Sequence, residues 1–156
     1  MKAHIGLPEK DIIKIAGLLQ VILADEHVIL TKTRNYHWNI KGPRFIELHK
    51  FYEDQYNIIK DTIDQIAERI TQLGHQANGT MKDFLATTRL KEGPYEEKQD
   101  AQISNLLQDH EAFITNLRKD IKDIDESLGD AVTTDLLTTF MGQHEKMAWM
   151  LRAFLG

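Results

Sequence analysis

The chain has 156 residues, 42% of them hydrophobic and 28% charged, with nine glycines and three prolines; that is the size and make-up of one globular domain and excludes wholesale disorder, collagen-like repeats and Pro-rich scaffolds. Nineteen basic against 24 acidic side chains leave a formal net charge of −5, a poor basis for gripping a nucleic-acid backbone. Zero cysteines exclude disulfide staples, thiolate zinc, iron–sulfur clusters and cysteine nucleophiles. The start of the chain carries Lys2, Glu9, Lys10 and Asp11 without an apolar run, and the longest apolar stretch, Ile12 to Ala24, is broken by Lys14 and Gln20. Neither an export leader nor a membrane span is expected, and the default is a soluble cytoplasmic protein.

Helical periodicity dominates, and no stretch has the strict alternation of a strand. The first helix is expected from Leu7-Pro8-Glu9, with Pro8 in its first turn, to just before the breaker pair Gly42-Pro43. It carries two apolar stripes, Ile12, Ala16, Leu19, Leu23 and Leu30 beside Ile15, Leu18, Ile22 and Ile29, which implies burial on more than one side, including a subunit contact. The second helix is expected from about Arg44 to Leu73, stopping at Gly74, with Leu48, Tyr52, Ile59, Ile63, Ile66, Ile70 and Leu73 inward. A crossover from Gly74 to Gly93 follows, with a short helix over Met81 to Thr87. The third long helix begins after Gly93-Pro94, turns Ile103, Leu106, His110, Phe113, Leu117, Ile121 and Ile124 inward, and ends near Leu128-Gly129. The fourth runs from about Thr133 to Phe154 with Leu136, Phe140, Met147 and Leu151 inward. Short turns make the first two and the last two helices antiparallel pairs, and the long crossover between the pairs gives an all-α, ferritin-like four-helix bundle rather than a simple up-and-down one. One domain over residues 1–156 is expected, with residues 1–7 as a tail.

The chemistry lies between His37 and Glu68. On the second helix, at about 100° per residue, His49, Glu53, Asp64 and Glu68 share one arc of roughly 100°, beside the apolar stripe and distinct from it. Imidazole with carboxylates is a mixed nitrogen and oxygen donor set suited to iron, manganese or zinc. By spacing alone, a solvated polar flank explains the same arc. Glu53 and Asp64 lie about 16 Å apart along the helix axis, so the pairs His49/Glu53 and Asp64/Glu68 of one chain cannot grip the same ion. If all four serve one site, two copies must meet with this helix antiparallel across a two-fold axis, and the dimer then holds two equivalent sites.

The run Asn35-Tyr36-His37-Trp38-Asn39-Ile40-Lys41-Gly42-Pro43-Arg44-Phe45 with Leu48-His49 resembles the signature of the Dps family, the mini-ferritins named as DNA-binding proteins from starved cells. Asp64-Gln65-Ile66-Ala67-Glu68-Arg69-Ile70 with Leu73-Gly74, and the tail from Glu145 to Leu155, are similar to further family motifs, so the resemblance spans nearly the whole chain. It implies a hollow homododecamer built from two-fold dimers. Such a cage oxidises Fe(II), preferentially with hydrogen peroxide, and stores the ferric product inside, protecting the cell from oxidative damage. Carried over residue by residue, it makes His37, His49 and Glu53 one half of a ferroxidase site and Asp64 and Glu68 of a second copy the other half. Iron is the implied metal, and other divalent metals can substitute. Glu53 stands where some members have Asp, and Trp38 is placed beside the site, either functionally or as packing.

Asp130 and Asp135 match family positions at iron-entry pores, where a carboxylate ring concentrates Fe(II), although an acidic residue there also fits a helix cap. Asp54 is the candidate for ferric nucleation, with Lys50 at a neighbouring position that is often acidic in relatives. His110 and His144, on apolar stripes, are expected as hydrogen-bonded core residues; His27 and His75 suggest no chemistry. The alternative reading is a DNA-compacting protein with secondary ferroxidase activity. Weak or absent DNA binding is the expectation here, because the segment before Pro8 holds the single lysine Lys2 and the chain ends at Gly156, directly after the last helix.

Overall fold

The computed structural model describes residues 3–156, so Lys2 lies outside the described residues. Five α-helices form in chain order: α1 Glu9–Asn39, α2 Phe45–Gln72, α3 Met81–Thr87, α4 Gln99–Asp123 and α5 Ala131–Leu155. The four long ones make a bundle, and α3 rides on the crossover. No strand forms among the described residues, and none of their helices is long and apolar enough to cross a membrane.

Each boundary has a local cause. Pro8, extended at φ −60° and ψ 138°, opens α1, with Glu9 and Asp11 in the first turn where the helix dipole favours negative charge. Gly42, at φ +108°, turns the chain between α1 and α2, a conformation open to glycine, and an added Cβ would also meet the Gln99 amide at 3.1 Å. Thr80 caps α3 by accepting the Asp83 N–H at 3.2 Å, while its hydroxyl donates to the Asp83 carboxylate at 2.6 Å. The third long helix starts at Gln99, later than directly after Pro94, since residues 95–98 stay non-helical. Its end widens into one π-helical turn, Ile124–Leu128, closed by Gly129 at φ 68°, whose N–H donates to the Ile124 carbonyl at 2.8 Å.

Apart from half-buried Leu18, both stripes of α1 are buried within the chain itself. The aromatic ring of Phe84 on α3 stacks on His27 at 3.8 Å between centroids, and buried Asp25 ties down the crossover. It accepts from the Thr88 hydroxyl (2.8 Å), the Arg89 N–H (2.7 Å) and the Arg89 guanidinium (2.8 Å). Lys32, buried on the same helix, pairs with Asp109 of α4. On α5 Leu137 and Leu151 are fully buried, while Leu136, expected inward, is half-exposed, because the helix begins at Ala131 with Asp130 as its cap and sets the rotation from there.

The core divides into two apolar clusters. One holds Leu19, Leu23, Ile59, Ile66, Phe113 and Phe140 among others; the second holds Tyr36, Leu48, Tyr52, Leu106 and Leu151. Between them the inward positions are polar: Thr33 on α1, Gln55 on α2 and His110 on α4 are all buried. The His110 and His144 Nδ1 atoms lie 2.9 Å apart, and His144 Nε2 lies 3.0 Å from Glu26 Oε1, with all three residues at 0% exposure. A neutral His110 donates to His144, which donates to the Glu26 carboxylate, so one chain of hydrogen bonds links α4, α5 and α1.

Candidate metal centre

His37 sits in the last turn of α1 and His49 in the first turns of α2, and the turn through Gly42 brings them together. Their imidazoles stack at 3.9 Å between centroids, 20° from parallel. The contact is reciprocal in its hydrogen bonds. His37 Nδ1 donates to the His49 carbonyl at 2.8 Å, and His49 Nδ1 donates to the His37 carbonyl at 2.9 Å. The His37 carbonyl is available because it lies in the last turn of a helix, where carbonyls lack partners further along. With each Nδ1 carrying the proton, each Nε2 lone pair is free, which is how ligating histidines are commonly oriented.

Aromatic rings bracket the pair. Phe45 stacks with His49 at 5.1 Å and 27°, and Tyr56 meets His37 edge-to-face at 5.1 Å and 82°. The Arg34 guanidinium lies 5.3 Å from the Tyr56 ring centroid. His37 is buried at 7% exposure, and His49 and Glu53 are half-buried. Glu53 lies one turn after His49, with Lys50 Nζ 3.6 Å from its carboxylate. Sequence reasoning missed Tyr56, Phe45 and Arg34; Tyr56 was detectable, since it falls three residues after Glu53 and seven after His49 on the same arc of α2.

Asp64 and Glu68 are exposed on the outward side of α2, away from the buried stripe. They lie toward the other end of that helix from His49, about 22 Å or more along the axis. Among the described residues, no three His, Asp or Glu side chains of one chain gather to hold a metal ion. Glu68 lines a surface depression together with Asp135, Arg69, Gln65, Leu136 and Thr139.

The remaining candidates separate by environment. Asp130 is 3% exposed and is the N-cap of α5, as the helix-cap reading of its position expects. Oδ1 accepts the Thr133 N–H at 3.1 Å, and both carboxylate oxygens accept from Arg69 Nη2 at 3.0 and 2.9 Å. Burial works to raise its pKa, but the hydrogen bonds from Thr133 and Arg69 outweigh that and hold the carboxyl below its usual 3.8. Its charge is thus committed within the fold. Asp135 is exposed, and Asp54 is exposed and paired with Lys50 at 2.6 Å. Trp38 is 71% exposed and lines a surface groove with His27, Asn35, Phe84 and Tyr95, so its own chain does not pack it.

A bundle with one long crossover, and a helix face of imidazole and carboxylates, define a ferritin-like protein, and the family model described as Ferritin-like domain matches residues 16–156. The chain is similar to DNA protection during starvation protein 2 of Bacillus anthracis, 37% identical over 92% of this chain and 97% of that one. It is 39% identical to a low temperature-induced protein of Nostoc sp., over 99% of this chain and 87% of the relative. The crystal structure of a Dps protein from Vibrio cholerae O1, described as a member of the superfamily of ferritin-like diiron-carboxylate proteins, superposes with a TM-score of 0.94 at 30% identity, covering 99% and 97% of the two chains. This chain belongs to the Dps family. That membership places it among proteins of iron storage and oxidative protection.

Proposed function

We propose that this protein is a ferroxidase that takes Fe(II) as substrate at sites shared between two subunits, oxidises it preferentially with hydrogen peroxide, and stores the ferric product inside a hollow homododecamer in the cytoplasm. His37, His49 and Glu53 of one subunit hold the iron with Asp64 and Glu68 of its two-fold partner. The observation that carries the reading is the reciprocal Nδ1-to-carbonyl lock of His37 on α1 and His49 on α2, which leaves both Nε2 lone pairs free, with Glu53 one helical turn after His49. Two neutral nitrogens with three carboxylates suit iron in both oxidation states. The wide separation of Asp64 and Glu68 from His49 on one helix supports sharing across subunits.

The redox step balances with two Fe(II) per peroxide. Each iron gives one electron, the O–O bond breaks, and both oxygens reach the oxidation level of water, so no hydroxyl radical is released. Exposed Asp135 and Asp54 are the proposed entry and nucleation carboxylates, with Lys50 beside Asp54 weakening the latter. Anaerobic loading of the protein with Fe(II), followed by peroxide or air, tests the reading. Oxidation should consume two Fe(II) per peroxide, run faster than with air, and leave iron in a particle of dodecamer size. Equal or faster oxidation by air would overturn the peroxide preference, and failure to bind or oxidise Fe(II) would overturn the function.

A further inference from the structure

The imidazole pair is fixed within its ring planes by the two carbonyl bonds, but those bonds alone leave each ring free to rock about the Nδ1–O direction. The aromatic neighbours act against that motion. His37 has His49 stacked at 3.9 Å on one side and Tyr56 edge-to-face at 5.1 Å. Tyr56 is half-buried and rests against the larger apolar cluster, so its ring is anchored on the core. The Arg34 guanidinium, 5.3 Å from its centroid, holds it as a cation on an aromatic ring. Phe45 does the corresponding work for His49, but it is 39% exposed and has no such anchor.

We propose that Tyr56 is a positioning residue for metal binding, aiming His37 Nε2 through its ring and itself held by Arg34. The proposal rests on the metal-site reading above. The ring is the active part, since the edge-to-face contact and the cation contact both use the π system. Loss of an outer partner of a ligating histidine lowers metal affinity about 10- to 100-fold in known sites, and loss of ring contact belongs at the lower end.

Titration of the metal-free assembly with Co(II) alone, followed by its visible ligand-field bands and by calorimetry, reads the site without any turnover. Tyr56→Leu should weaken Co(II) binding about tenfold and broaden the bands. Tyr56→Phe should restore wild-type affinity, and Arg34→Gln, outside the packed ring contact, should cost about two- to threefold. His49→Ala is the control for the underlying reading. If His49→Ala binds Co(II) as wild type does, the metal-site reading fails and this proposal falls with it. If His49→Ala loses binding while Tyr56→Leu and Arg34→Gln both match wild type, the positioning role alone is refuted. Equal weakening in Tyr56→Phe and Tyr56→Leu would refute it too, because the hydroxyl rather than the ring would then be at work.

Discussion

Subunit sharing makes a numerical prediction. In the shared arrangement, each two-fold dimer has two sites, and each site takes His49 from one copy and Glu68 from the other. Chains carrying His49→Ala and chains carrying Glu68→Ala are each devoid of intact sites alone. Disassembled, mixed in equal amounts and reassembled at random, about half of the dimers contain one chain of each kind. In such a dimer, one site loses both residues, and the other, built from the intact His49 of one chain and the intact Glu68 of its partner, is whole. Peroxide-driven ferroxidase activity should therefore recover to about one quarter of wild type. The assay is stopped-flow oxidation of Fe(II) under limiting iron, with mixed dimers counted by native mass spectrometry of differently tagged chains. Glu68 is exposed and His49, half-buried, lies outside both apolar clusters, so packing of the core is retained. Activity no higher than that of either variant alone, in samples with confirmed mixed dimers, would falsify the shared site.

Asp130→Ala removes a helix cap and leaves Arg69 buried without its carboxylate, so it should destabilise the chain by about 3–5 kcal/mol and lower the thermal midpoint by on the order of 10 °C. Asp135→Ala, at an exposed position, should stay within about 0.5 kcal/mol while slowing Fe(II) uptake, and calorimetry with uptake kinetics separates the two. Burial, with neighbouring His144 second, holds the His110 pKa well below 6.5. The unfolded chain therefore binds the proton that the folded one refuses, and stability should fall as pH drops below about 6.5, by up to ~1.4 kcal/mol per pH unit; thermal melts in which His110→Gln shows the same pH slope as wild type would contradict this. DNA binding should be weak or absent at neutral pH and about 0.15 M salt, since a dodecamer carries a formal charge of about −60, twelve times −5. Retardation of plasmid by sub-micromolar protein in a gel shift would reveal a basic patch on the folded surface.

The helices, their order and most of their inward faces are legible in the sequence, because Pro8, Gly42, Gly74 and Gly129 mark the ends and a 3.6-residue period marks the core. The face that bears His49, Glu53, Asp64 and Glu68 is legible for the same reason, since rotation about one helix is fixed by residue number. Sequence spacing is silent on what lies across space. Asp130 reads as a pore carboxylate or a cap from its position, but that Arg69, 61 residues away, pairs with it is visible only in the fold. The pairing of Lys32 with Asp109, and the line from Glu26 through His144 to His110, join residues up to 118 positions apart, and only packing of three helices sets those distances. The same holds for His37: its number places it on α1, but its proton and its free Nε2 are decided by a carbonyl of another helix and by the rings of His49 and Tyr56. Local propensity acts over a few residues of chain, whereas hydrogen bonds and ring contacts depend on approach in space, which the fold alone supplies.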